Sequence, residues 1–229
     1  MAFAPVFGRV FPATFDRRAA AAAAAAGWWE VAGKTCVAAY QPKGAASLAA
    51  SYSNLANPGT NDAAPGTAPT WDSATGWTFT RTSSQYLTTA IVVDNDQSWS
   101  MLARYSNASS YNQALGQVSD GSNREFGMFL SGQTTTYFTS GGYLQKNYSA
   151  VTAGVWGLAG NVAYINGVAQ SGTISAPSGS IISAMPIAAK WNGSTASDFF
   201  GGNIQAWVIY SDTLTAGEVA TVSAAMAAL

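Results

Sequence analysis

Histidine is missing from all 229 residues, and no other absence removes as much chemistry. Without imidazole the chain cannot build a Ser-His-Asp or Cys-His relay, and most zinc, copper and non-haem iron sites lose their commonest ligand. Cysteine occurs once, so no disulfide can close within the chain. The flank of Cys36, Val37-Ala38-Ala39, reads as a buried strand in which the thiol is a small core residue. Charge is scarce as well: Asp, Glu, Lys and Arg make up 9% of the residues, against about 25% in an average protein. Their balance is −1 with no basic run, which excludes the phosphate-neutralising surface of a nucleic-acid binder. No apolar run reaches the roughly 20 residues that cross a bilayer, so no membrane partner is expected. Arg9 breaks the apolar stretch 3–10, and Arg17 and Arg18 precede the alanine run, so no secretory signal is expected either.

Ala, Gly, Ser and Thr take the place of charge and hold mean hydropathy at +0.09. Such a surface is neutral and rich in hydroxyls. It suits packing against neighbours or hydrogen bonding to sugars, and it does not suit capture by charge.

Residues 1–27 stand apart from the rest. Phe3, Val6, Phe7, Val10, Phe11 and Phe15 are apolar, while Pro5 and Pro12 forbid one continuous helix. Asp16 is placed to cap a short helix through Arg17, Arg18 and residues 19–26, which Gly27 would stop. Six exposed apolar side chains are costly on an isolated molecule. The expectation is an arm that docks on a neighbour through Phe3, Phe7, Phe11 and Phe15.

From Trp28 onward the period is that of strands, and residues 28–229 are expected to form one domain. Trp99, Met101, Ala103 and Tyr105 alternate with Ser100 and Arg104, and Phe126, Met128 and Leu130 share one face. Residues 203–210 are apolar on both faces, as in a covered strand. Asp120-Gly121, Gly141-Gly142, Asn166-Gly167 and Asn192-Gly193 supply tight turns, the clearest hairpin being Tyr164 to Val168. Residues 41–75, rich in Pro, Gly, Asn and Ala, read as a surface excursion without packed elements. Thr215 and Glu218 form a capping box, and Val219, Val222, Met226 and Leu229 mark one face of a closing helix.

Three signatures resemble the laminin-G-like branch of the concanavalin A-like lectin/glucanase superfamily. They are the opening strand Cys36–Tyr40 with the later Gly76-Trp77-Thr78-Phe79 and Tyr86-Leu87-Thr88; Gly154-Val155-Trp156 leading into the Asn166-Gly167 hairpin; and Phe199 to Ile204 running through Trp207 to Tyr210, then Leu214 and Glu218. The resemblance spans residues 30–229. It implies an all-β fold, a two-sheet antiparallel jelly-roll sandwich with first and last strands adjacent, an N-terminal arm before it and a short C-terminal helix after it. The arm and residues 39–46 are also similar in style to structural proteins of bacteriophages.

The glucanase branch implies an E-x-D-x-x-E carboxylate strand, which this chain does not have. Its three glutamates, Glu30, Glu125 and Glu218, lie far apart in sequence, and Glu218 serves the helix cap. Glycoside hydrolysis needs two paired carboxyls, so a hydrolase ranks last and no catalytic residue is assigned. No cofactor is expected. Calcium is the one metal considered, through Asp94 and Asp96 with Asp120 and Asp198 on other loops, but Asp94 and Asp96 read first as turn caps. For sugar binding, rings beside amides are the candidates: Trp191 with Asn192, Tyr111 with Asn112, Tyr143 and Tyr148.

The leading expectation is a non-enzymatic virion structural or decoration protein. Its arm would join capsid or tail subunits in a homo-oligomeric assembly, and its lectin-like domain would face outward to host-surface glycans. The alternative is a carbohydrate-binding module or lectin, extracellular or at a cell surface.

Overall fold

The computed structural model describes residues 27–94, 98–109, 113–119, 125–131, 135–140, 143–147, 153–171, 181 and 183–229, with the backbone alone over 131–147. The arm therefore lies outside the described residues up to Gly27, and with it Phe3, Phe7, Phe11 and Phe15.

Seventeen strands and two α-helices occur among the described residues. The first stretch holds β1 (Cys36–Tyr40), α1 (Leu48–Ser51), β2 (Ala64–Thr67), β3 (Thr70–Asp72), β4 (Gly76–Phe79) and β5 (Tyr86–Val92). The middle holds β6 (Ser100–Ser106), β7 (Gln113–Ser119), β8 (Glu125–Ser131), β9 (Thr135–Ser140), β10 (Tyr143–Asn147), β11 (Gly154–Ala159), β12 (Val162–Ile165) and β13 (Val168–Ala169). The chain closes with β14 (Ala184–Ile187), β15 (Lys190–Trp191), β16 (Ala196–Ser197), β17 (Gly202–Tyr210) and α2 (Ala216–Ala228).

Two layers result. The back sheet has the order β13-β12-β11-β6-β17-β4-β3, and β1 also pairs with β17, so the first and last strands meet as the resemblance implied. The front layer has the order β10-β9-β8-β7-β15-β16, beside which lies β14-β5-β2. Two backbone bonds join these pieces: Ala188 N–H donates to Leu115 O (3.1 Å) and Gln117 N–H to Ala189 O (3.1 Å). Ala188 sits at φ 66°, the kink at which β14 hands over to β15. The β15–β7 pair is parallel, whereas every other strand pair described is antiparallel.

The expected alternation holds where the layers face each other. Trp99, Met101, Ala103 and Tyr105 meet Leu115, Val118, Phe126, Met128 and Leu130 in the main core. The other side of the back sheet is not left to solvent. Leu102, Val155, Ala206, Val208 and Tyr210 pack under α2 against Val219, Val222 and Met226, with Trp28 and Trp29 at the margin. That second layer is why β17 is apolar on both faces. The helix is seated by Thr215 and Glu218, whose side chains exchange both capping bonds, and by Arg104, whose Nη1 donates to Met226 O (2.6 Å). The hydrogen bond from the Thr215 backbone holds the Glu218 carboxyl below its ordinary range. The Tyr164 hairpin turns at Asn166 (φ 49°) and Gly167 (φ 78°), as its sequence requires.

Residues 41–75 correct the expectation. They carry α1, β2 and β3, and Ser51, Asn54 and Ala63 are buried. The polarity that marked the segment as a loose loop belongs to side chains spent on internal hydrogen bonds.

Cys36 is half-buried at the start of β1 and packs against the second core. Burial pushes its thiol up to about 12, and a hydrogen bond from the Ala38 backbone offsets this only in part. Thiolate is the reactive form, so the folded chain should react with a disulfide reagent at pH 8 roughly 1,000-fold more slowly than the urea-unfolded chain. Equal rates in the two states would contradict the burial.

Candidate functional site

Inward packing fixes what the front layer shows outward. On β7, Val118 points to the core, so Gln117 and Ser119 lie on the outer face; on β8, Phe126, Met128 and Leu130 point inward and leave Glu125, Gly127 and Phe129 outside. Register carries this face across the layer. Gly127 stands opposite Thr139, which stands opposite Tyr143, and Phe129 stands opposite Tyr137, which stands opposite Gln145. On the other flank Lys190 of β15 is the parallel partner of Gln117.

A closed polar group lies at the end of this face where β7 gives way to β8. The Lys190 ammonium is ion-paired with Glu125 Oε1, and Gln117 Nε2 donates to Glu125 Oε2 at 2.7 Å. The ion pair is recessed, its side chains 24% and 26% exposed, and Gln117 beneath it is only 2% exposed. Gly127 keeps the floor beside it bare. Its φ is +145°, and a Cβ there would lie 2.1 Å from the Gly116 carbonyl oxygen. A hydroxyl-bearing ligand would thus meet a carboxylate and an ammonium side by side, with the Gln117 amide holding the carboxylate from beneath. Phe129 lies two positions further along β8, with Tyr137 at the register position opposite it and Tyr143 in line with Gly127.

No family model matches the chain, and no curated protein matches it. Solved structures do. Domain 4 of AbnA, an extracellular GH43 arabinanase from Geobacillus stearothermophilus in complex with arabinotriose, superposes with a TM-score of 0.54 at 12% identity, over 83% of this chain and 98% of that one. Trypanosoma rangeli sialidase in complex with sialic acid gives a TM-score of 0.58 at 12% identity, over 85% of this chain and 33% of the sialidase. The likeness is one of fold. The chain is an antiparallel β-sandwich like those parts of carbohydrate-active proteins, and it spans a third of the sialidase's length.

The residues singled out from sequence fall in different places. Tyr143 is on the outer face by register. Tyr111, Asn112, Tyr148 and Asp96 lie outside the described residues. Trp191 alternates with Lys190 and packs against the main core. There it lines a pocket of about 150 Å³ with Thr88, Thr89, Met185 and Pro186, at the irregularity between Ala184 and Pro186. Asn192 holds its own turn, its Oδ1 accepting from the backbone N–H of Thr195 (2.9 Å) and Ser194 (3.2 Å). Asp94 Oδ1 accepts from Trp99 Nε1 at 2.8 Å, so the carboxylate ties the turn to the strand after it. No three acidic or cysteine side chains converge among the described residues. The three glutamates are dispersed over the front face, the α2 cap and the turn before β1.

Sequence reasoning missed the Gln117–Glu125–Lys190 group. Its members are separated by eight and 65 positions, and only the strand register brings them together.

Proposed function

We propose that this chain binds carbohydrate without turning it over, using the outer face of the front layer around Gln117, Glu125 and Lys190. The observation that carries the reading is the partly buried carboxylate–ammonium–amide group on the face that also carries Phe129. A pyranose has an apolar C–H face and an equatorial rim of hydroxyls. Phe129 supplies a surface for the first, and the polar group supplies donors and acceptors for the second. Likeness of fold to an arabinanase domain seen with arabinotriose and to a sialidase seen with sialic acid supports the same reading. Hydrolysis would ask Glu125 to give or take a proton beside a second carboxyl. Its two oxygens are instead held by Lys190 and Gln117, a geometry for orienting a ligand.

The test is calorimetry against a broad panel of oligosaccharides, with product analysis after long incubation. Saturable binding with no released reducing ends is expected, and Phe129→Ala should weaken it about tenfold while the fold is kept. A flat response across the panel would remove the proposal.

Attachment to a virus particle through residues 1–27 stands second. It rests on the apolar arm and the low charge of the surface, and it is compatible with a glycan-binding face displayed outward.

A further inference from the structure

Resting on that reading of the face, we infer that its ligands are uncharged saccharides, and that Glu125 sets this selectivity by neutralising Lys190. Among the described strand positions of the outer face, Glu125 and Lys190 are the two charges. The uncharged positions include Gln117, Ser119, Gly127 and Phe129, with Tyr86, Thr88, Pro186 and Ser197 toward the far edge. On β9 and β10 the register positions in line with them are Thr135, Tyr137, Thr139, Tyr143, Gln145 and Asn147. Lys146 stands opposite Thr136, at the alternate register position.

Among the described strand positions of this face, Lys190 is the one cation, and Glu125 already pairs with it. A sialic acid or uronate presents a carboxylate that must be paired or left in water. To reach Lys190 it must sit beside Glu125 or displace it, and either way two carboxylates share one ammonium at a site about a quarter exposed. A neutral sugar makes no such demand. Its hydroxyls donate to the remaining lone pairs of Glu125 and accept from the remaining N–H groups of Lys190, and the ion pair stays intact. Glu125 acts as an acceptor for hydroxyls and as a guard against anions, so discrimination comes from a repulsive element as much as from an attractive one.

The test uses the full chain on an immobilised panel of oligosaccharides in matched pairs, each neutral member beside its sialylated or uronate-bearing counterpart. The unmodified chain should bind neutral members and bind their acidic counterparts at least about tenfold more weakly. Glu125→Gln keeps the shape and the bond to Gln117 but frees the ammonium, so the ratio of acidic to neutral binding should rise about tenfold, whatever neutral binding loses with the carboxylate acceptor. Lys190→Gln should exclude acidic members further. Thermal unfolding of each variant within a few degrees of the parent secures the comparison, and two substitutions of opposite sign protect it against a chance loss of fold. Acidic members bound as well as neutral ones by the unmodified chain, or a Glu125→Gln profile identical to the parent's, would overturn this inference while leaving the glycan-binding face standing. Silence across the whole panel would overturn both.

Discussion

Asn54→Ala should lower the free energy of unfolding by about 3–4 kcal/mol, a large loss for one polar side chain. Asn54 is 0% exposed, and its amide makes four hydrogen bonds. Oδ1 accepts from the backbone N–H of Ala39 (3.0 Å) and Ala56 (3.0 Å), and Nδ2 donates to Val37 O (2.9 Å) and Thr60 O (2.8 Å). Two of these partners belong to β1, whose other edge pairs with β17. With Leu55 N–H donating to Ala39 O (2.8 Å), Asn54 stands in for a neighbouring strand along the edge that β1 would otherwise leave open. Deleting the amide strands two donors and two acceptors in a site closed to water, and each such group costs about 1–3 kcal/mol before relaxation. Equilibrium urea unfolding followed by tryptophan fluorescence measures the change, and a loss below about 1 kcal/mol would sink the account.

Asn54→Asp sharpens the same test. The new carboxylate would turn an oxygen toward the acceptors Val37 O and Thr60 O, close to Asp62, whose Oδ1 already accepts from Asn54 N–H at 2.7 Å. Burial and the like charge would raise the folded-state pKa of the introduced acid above its unfolded value. A carboxyl raised in this way favours the folded state at low pH, and that support is lost as pH rises through the folded-state value. The aspartate variant should therefore be as unstable as the alanine variant at pH 7 and regain part of the deficit near pH 4. A deficit independent of pH would show that the side chain had swung out to solvent.

These bonds also mark where sequence reasoning stopped. Alternation named the inward faces of β6 and β8 correctly, because a strand with one face on a core repeats every two residues whatever its partner. Turns at Asn166-Gly167 and Asn192-Gly193, and the Thr215 cap, were equally legible, since each is decided within four residues. Residues 41–75 were misread because a segment rich in Pro, Gly, Asn and Ala looks the same as a solvated loop as it does when its Asn, Ser and Asp side chains fold it onto β1. Only the partners differ, and they lie up to 26 positions away. The face around Glu125 failed for the same reason, since neither its bond to Gln117 nor its pair with Lys190 leaves a local pattern. Trp191 shows the converse. Its Asn-Gly turn rightly announced a rim, but one step of alternation decides between rim and core, and in a two-residue strand that step is invisible from sequence.

Trp77→Ala should cost about 4–5 kcal/mol, the upper end for loss of a buried aromatic. The ring is fully buried and touches three others, with centroids 6.1 Å from Tyr40, 6.0 Å from Tyr52 and 6.4 Å from Phe79. Tyr40 leans in turn on Trp207 at 5.9 Å, so Trp77 anchors a run of rings from the excursion through β4 and β1 to β17. It does more than fill space. Its Nε1 donates to Ser51 Oγ at 2.6 Å, and Ser51 Oγ donates to Leu48 O at 2.6 Å, which ties α1 to the core. A double-mutant cycle separates the two roles. Ser51→Ala leaves a buried indole N–H unpaired and should cost about 1–2 kcal/mol. In a Trp77→Phe background no such donor exists, so the same substitution should cost much less, and the two changes should be non-additive by about 1 kcal/mol. Strict additivity would mean that the indole hydrogen bond contributes nothing and that α1 is held by packing and backbone contacts alone.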